Sequence, residues 1–151
     1  ILFLPLDAFR IQASDEHGAI ISGVETGIRL RRGRLRAKAN YLLQHARFDQ
    51  AGDNPLPHRP THRGHVQLGF KLARWMPYLR ASAQSAVYTD HYGNRTLDGY
   101  GLLDLGCRIT PVRKLSVTVE VRNALNVEGR FDAIHQPLPG RRLIAEFKWL
   151  H

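Results

Sequence analysis

Apolar and polar residues alternate along most of the chain, with the two-residue period of a β-strand. In the clearest stretch, Leu115, Val117, Val119 and Val121 are separated by polar residues. No stretch has the three-to-four-residue spacing of an amphipathic helix. Seven strands are predicted, with a weaker eighth one within 1–13. Their spans are 23–31, 34–48, 65–73, 78–88, 102–111, 115–122 and 142–149.

The connectors between these strands alternate between short and long. The short ones lie near 32–33, 74–77 and 112–114, and the long ones span 49–64, 89–99 and 123–140. Short periplasmic turns and long extracellular loops are typical of outer-membrane barrels. We therefore predict an all-β fold, an antiparallel up-and-down meander of seven or eight strands that forms an open, curved segment of a larger transmembrane β-barrel.

Composition narrows the class of protein. The chain has 151 residues, a formal charge of +9 and one cysteine, Cys107, so an internal disulfide is excluded. No apolar run approaches the ~20 residues of a membrane-spanning helix. The chain starts at Ile1 without a methionine or a basic leader. We expect that start to be an interior position of a longer protein.

The polar faces of the strands favour a membrane barrel over a soluble one. They mix acids such as Glu25 and Glu120 with many basic residues, as suits a water-filled lumen. Four aromatic residues near predicted strand ends indicate an interfacial girdle: Trp75, Tyr78, Phe147 and Trp149. A soluble lipocalin-like binder remains an alternative, with the apolar face turned inward, as does a complete small barrel of eight strands.

Several motifs occur in one order along the chain. The segment 119–126, V-E-V-R-N-A-L-N, is followed by P-L-P-G-R at 137–141, and G-V-E stands at 23–25. Together they resemble TonB-dependent outer-membrane receptors, in which similar segments lie in the penultimate strand, open the final strand and start an inner strand. Ala124 and Leu125 depart from the usual Leu-Phe of that family. The motif residues to which the resemblance assigns a structural role are Gly23, Glu25, Asn123, Pro137, Pro139, Gly140 and Arg141.

The resemblance implies a function and partners. Complete receptors of this family are barrels of about 22 strands filled by a plug domain. They take up scarce substrates such as iron chelates (siderophores) or cobalamin across the bacterial outer membrane. Residues 1–151 would then be the C-terminal part of such a barrel, without the plug and the earlier strands. The implied partners are outer-membrane lipid and lipopolysaccharide, the plug, TonB through the missing N-terminal part, and a small-molecule substrate.

Cationic and aromatic residues in the predicted loops could contact an anionic chelate. Such groups would pair with its charge and pack on its rings. The candidate substrate-binding residues are Arg59, His62, His91, Tyr92, Arg95, Arg130 and His135.

Other kinds of site find no support in the sequence. No nucleophile elbow, phosphate-binding loop or other catalytic constellation is present, so we predict neither an enzyme nor a bound cofactor. The basic residues alternate along strands rather than clustering as in nucleic-acid-binding proteins, so no nucleic acid is expected. His58, His62 and His65 lie in a proline-containing stretch rather than on one helix face, so no metal site is predicted.

Overall fold

The structure, a computed structural model, describes residues 2–3, 12–14, 18–49, 54–132 and 136–149, with the backbone alone for the first two segments. None of these residues forms a helix that could cross a membrane. All regular elements in this part of the chain are strands. They are β1 Leu2–Phe3, β2 Gln12–Ser14, β3 Ala19–Arg32, β4 Leu35–Phe48, β5 His62–Phe70, β6 Trp75–Gln84, β7 Val87–Tyr88, β8 Thr96–Leu97, β9 Tyr100–Val112, β10 Leu115–Arg122 and β11 Arg142–Trp149.

Seven long strands form one antiparallel meander in the order β3-β4-β5-β6-β9-β10-β11. The short strands β1 and β2 both pair with β3, while β7 and β8 form a separate two-stranded sheet. Within the described residues, β11 pairs with β10 alone, so the sheet does not close on itself. This confirms the predicted open meander and argues against a complete eight-stranded barrel.

Three long connectors lie at one end of the meander and three short turns at the other. The long ones are named L1 (49–61), L2 (85–99) and L3 (123–141). The short turns join β3 to β4, β5 to β6, and β9 to β10. This is the predicted alternation of loops and turns, and all three long loops lie at one rim.

One row of apolar residues crosses the whole sheet. In antiparallel pairs, residues directly opposite each other share a face, so the strand register defines the row. Its members are Leu30, Ala37, Leu68, Leu79, Leu105, Val121 and Leu143.

The apolar face carries no second layer. Leu68 is 38% exposed and Leu143 73% exposed, although a soluble barrel would bury both. Among the described residues, Val87 in L2 is the one buried hydrophobic side chain. The uncovered apolar face is named the outer face and the charged face the inner face, the arrangement expected for a barrel wall in lipid. The open, single-layered sheet argues against the closed, soluble lipocalin-like alternative.

Several strand boundaries differ from the prediction. β3 is Ala19–Arg32 rather than 23–31, β5 is His62–Phe70 rather than 65–73, and β9 is Tyr100–Val112 rather than 102–111. The span 78–88 was expected to be one strand, but β6 starts at Trp75 and ends at Gln84, and Val87–Tyr88 belong to the small L2 sheet. Pro77 was assigned to a turn but lies inside β6. It pairs with Cys107 of β9, while the β5–β6 ladder begins one residue later, at Gly69–Tyr78, so Pro77 has no pairing partner in β5.

Three of the four residues predicted for the aromatic girdle lie where the girdle was expected. Trp75, Phe147 and Trp149 lie at the short-turn end of the outer face, with 54%, 73% and 59% of their surfaces exposed. Tyr78 was wrongly included, because its register with Gly106 and Glu120 turns it to the charged inner face. Phe70 takes a place in the girdle instead, being 43% exposed beside Leu35.

Candidate functional site

The loops L1 and L2 are joined by backbone hydrogen bonds. The N–H of His58 donates to the carbonyl of Tyr88 at 2.8 Å. Beside it, the N–H of Ser85 in L2 donates to the carbonyl of His62, the first residue of β5, at 2.9 Å. Val87, only 2% exposed, gives this part of the rim a small apolar centre. Because ladder-like bonds fix both backbones, L1 and L2 present their side chains from one supported surface.

A single carboxylate organises the tip of L2. Oδ1 of Asp90 accepts the N–H groups of Tyr92 and Asn94 at 2.8 and 3.1 Å, and Oδ2 accepts that of Arg95 at 2.6 Å. Desolvation raises the pKa of Asp90, but these donors, with the N–H of Gly93, outweigh it and hold the pKa below its ordinary value. The turn thereby fixes the backbone of three exposed loop residues, Tyr92, Asn94 and Arg95.

Asn123 holds the two ends of L3 together and fastens them to β9. It is 4% exposed and left-handed, with φ of 50°. Its Nδ2 donates to the carbonyls of Val127 and Pro139 at 2.9 and 3.0 Å, and its Oδ1 accepts the N–H of Val127 at 2.9 Å. Its own N–H donates to Oδ1 of Asp104 at 3.0 Å. This asparagine follows the last residue of β10 and also holds the entry to β11.

An ion pair joins L2 to L3, between the guanidinium of Arg130 and the carboxylate of Asp98. Both side chains are substantially exposed, so the pair contributes little to overall stability. The pair does hold the Arg130 side chain at the rim, and it partly neutralises the positive charge of that side chain.

Below the loops, a charged network lies on the inner face. Glu120, whose side chain is 7% exposed, accepts the phenol O–H of Tyr78 at 2.5 Å and Nε of Arg122 at 2.6 Å. Nη2 of Arg80 lies 2.5 Å from Glu120 and 3.4 Å from Asp104. Two guanidinium groups and a phenol thus surround one carboxylate, which suits a partly dry lumen wall.

A glycine makes this network possible. Tyr78, Gly106 and Glu120 share one row on three successive strands, and the tyrosine ring lies flat over Gly106 to reach the carboxylate. A Cβ on Gly106 would overlap the tyrosine ring. The small residue in the middle strand therefore permits a contact between strands that are not neighbours.

The predicted substrate-binding residues divide by location. Arg59, Tyr92 and Arg95 are exposed on L1 and L2, and Tyr92 reaches 77% exposure. His91 packs its ring 5.2 Å from that of Phe48. His135 lies outside the described residues.

His62 stands apart from these loop residues. It pairs with Leu43 on the outer face, and its Nδ1 lies 2.7 Å from the phenol oxygen of Tyr41. His65 pairs with Asn40 on the inner face, so neighbouring histidines point in opposite directions. Among the described residues, no group of three His, Cys, Asp or Glu side chains could hold a metal ion.

The motif residues serve the frame of the barrel wall. A Cβ on Gly23 would collide with the backbone of Leu43, so β3 and β4 approach closely there. Gly140 is not among the left-handed residues of L3, which include Asn123 and Asn126. A Cβ on Gly140 would instead lie 3.2 Å from the Glu128 carboxylate.

The remaining motif residues lie in L3 and in β3. The N–H of Arg141 donates to Oδ1 of Asn126 at 2.9 Å. Pro137 forms an isolated antiparallel β-bridge with Phe131. Pro139 supplies the carbonyl that accepts Nδ2 of Asn123. Glu25 is exposed on the inner face, opposite Leu42.

A shallow apolar groove of about 580 Å³ lies on the outer face. It forms because Gly64, Ala83 and Gly101 stand side by side on three successive strands and leave space between the larger side chains Tyr41 and Leu103. The groove lies on the outer face at the loop end of the strands, where Leu125 of L3 adds to its lining. Its apolar walls do not suit a polar substrate.

An outward apolar face, an inward charged face and long loops at one end define a segment of a membrane β-barrel. The sequence model of the TonB dependent receptor-like β-barrel family matches residues 5–124, so the chain belongs to this family. Its members are transporters of the bacterial outer membrane, not enzymes. No curated protein matches the sequence.

Solved structures share the fold at low sequence identity. The siderophore receptor PiuA from Acinetobacter baumannii is 16% identical with a TM-score of 0.78, over 87% of this chain and 22% of that one. The ferric citrate transporter FecA is 18% identical with a TM-score of 0.76, over 87% and 24%. The copper transporter OprC is 16% identical with a TM-score of 0.71, over 87% and 24%. The chain thus spans roughly a quarter of each of these receptors.

Sequence reasoning missed the Tyr78–Glu120–Arg80 network and the organising role of Asp90. For Asp90 a local signal existed, because D-H-Y-G-N is rich in turn formers. The network had no local signal, because its members lie on three strands and meet only through the register.

Proposed function

We propose that this chain forms part of the wall and the substrate-side rim of an outer-membrane transporter that takes up a scarce substrate, such as an iron chelate or cobalamin. The observation that carries the proposal is the connected rim, in which L1, L2 and L3 are joined by His58–Tyr88 and Arg130–Asp98. Supported loops hold ligand-binding groups in place, which lowers the entropy lost on binding.

Exposed groups on L1 and L2 are proposed to contact the substrate directly. Arg59, His91, Tyr92 and Arg95 combine positive charge, an aromatic plane and hydrogen-bond donors. This chemistry suits an anionic chelate with aromatic or carboxylate arms. Arg130 belongs to the same rim through its ion pair, and His135 stays in the proposed set. His62 is left out of this set because it lies on the outer face.

We also propose that residues 1–151 are the C-terminal part of a longer receptor. Two features support this: the sheet is open within the described residues, and the chain covers 22–24% of the three similar receptors. A sheet in lipid must close to satisfy its edge groups, so further strands would complete the barrel. A plug in the lumen, TonB beneath it and lipopolysaccharide around the rim would be the partners. An antibody against an L2 peptide should detect a protein several times larger than 17.2 kDa in outer membranes.

Binding measurements on the full receptor test the substrate proposal. Titration with ferric citrate, a ferric catecholate and cobalamin should reveal one ligand that binds, and R59Q/R95Q should weaken it about tenfold or more. The matched control is R29Q/R31Q, which removes two cations of the inner face near the short turns and should leave affinity unchanged. Equal affinity in the rim variant and the wild type would contradict the proposed contacts.

A further inference from the structure

All three short turns carry pairs of exposed basic residues. No acidic residue occurs in 30–36, 69–76 or 110–116. None of these cations takes part in an ion pair within the described part of the chain. Together they form what we name the basic rim: Arg32, Arg34, Lys71, Arg74, Arg113 and Lys114.

The opposite end of the sheet has a different charge balance. In sequence, L1, L2 and L3 contain six acids, Asp49, Asp53, Asp90, Asp98, Glu128 and Asp132, against four arginines. The basic rim is therefore not a consequence of the overall charge of +9 spread evenly over the chain. Six cations without a counterion in this segment give that end of the sheet a positive potential, which attracts an anionic partner.

The basic rim adjoins the outward aromatic girdle. Trp75 follows Arg74 directly, Phe70 precedes Lys71, and Arg32 pairs with Leu35 on the outer face beside Phe70. Trp75 and Phe147 share one outer row. Aromatic side chains on this face mark the depth of the lipid headgroups, so the cations stand at the height of the phosphates.

We propose that the basic rim binds the anionic headgroups of phospholipids in the leaflet at the short-turn end of the barrel. The cations supply the charge and the girdle supplies the apolar contact for the glycerol and the upper acyl chains. The occupant is a lipid rather than a soluble anion, because the cations surround an outward-facing apolar surface and not a closed polar cavity.

Native mass spectrometry of the full receptor tests this proposal. The receptor is released from micelles that contain equal amounts of phosphatidylglycerol and phosphatidylcholine, and the retained lipids are counted. The wild type should retain phosphatidylglycerol with about tenfold preference at low salt. That preference should fall steeply as ionic strength rises toward 1 M.

A matched pair of variants locates the effect. Replacing the six cations of the basic rim with glutamine should reduce the preference to near unity. The control replaces Arg29, Arg31, Arg36 and Lys38, which lie at the same end but on the inner face, and should keep the preference. The proposal is overturned if the wild type retains both lipids equally, or if its preference does not depend on salt. It is also overturned if the preference survives in the basic-rim variant, or falls equally in the inner-face control. If the variant with six substitutions does not fold, the salt dependence of the wild-type lipid preference still tests the proposal.

Discussion

The phenol oxygen of Tyr78 lies 2.5 Å from Oε2 of Glu120, although a whole strand separates the two residues. The contact joins β6 to β10 over Gly106 of β9, and Arg80 and Arg122 close the network around the carboxylate. Ladder bonds join neighbouring strands only. A side-chain link across three strands resists shear between them, so this network should stiffen the barrel wall.

Replacement of Glu120 by glutamine should weaken this wall. The change leaves two guanidinium groups near a neutral amide in a nearly buried site, at a cost of about 1–3 kcal/mol. The full receptor should lose its folded band at lower temperature on unheated gels. The control is E146Q, an exposed acid on the same inner face of β11, which should leave that temperature unchanged. Equal behaviour of the two variants would show that the network adds no stability.

Replacement of Gly106 by alanine should displace the Tyr78 ring, because the new methyl group would occupy its place. The same change at Gly101, where a Cβ would lie 3.8 Å from the nearest atom, should be tolerated. The decisive comparison is G106A/Y78A with Y78A alone. The two should have the same stability, since the clash is gone once the ring is removed. A further loss in the double variant would mean that Gly106 serves another purpose.

The turn at Asp90 should depend on pH. Its folded pKa lies below the ordinary value, so its stabilising effect is complete above the unfolded pKa and is lost as pH falls through the folded pKa. Amide hydrogen exchange of residues 90–97, corrected for intrinsic rates, should accelerate over that acid range. D90A should show the fast exchange already at pH 7, and D90N, which keeps one acceptor, should lie between. Exchange in D90A as slow as in the wild type would rule out this role.

The Arg130–Asp98 pair offers a way to separate positioning from direct contact. If the pair fixes the junction of L2 and L3, R130Q and D98N should weaken substrate binding by similar factors, and the double variant should be no worse than either. A large effect of R130Q with none from D98N would instead indicate direct contact between Arg130 and the substrate. Affinities of the full receptor for its substrate provide the measurement.

The sequence predicted strand bounds best where one face of a strand lies against the same medium, lipid or water, along its whole length. The spans predicted for β10 and β11 agree with the structure because strict alternation runs from end to end of both. The prediction failed at Tyr78, since an aromatic residue near a turn suits either face and only the register with Gly106 decides between them. It also missed the β7–β8 hairpin, whose two-residue strands are too short to show a period.

The central claim is the sidedness of the sheet, and spin-label accessibility tests it most directly. With Cys107 replaced by serine, nitroxides are placed singly at Leu68 and Val119 of the outer face and at Gln67 and Thr118 of the inner face. The outer labels should be relaxed by oxygen, which concentrates in lipid, and the inner labels should be shielded from it. Labels at Gln67 and Thr118 that respond to oxygen more strongly than those at Leu68 and Val119 would contradict the account.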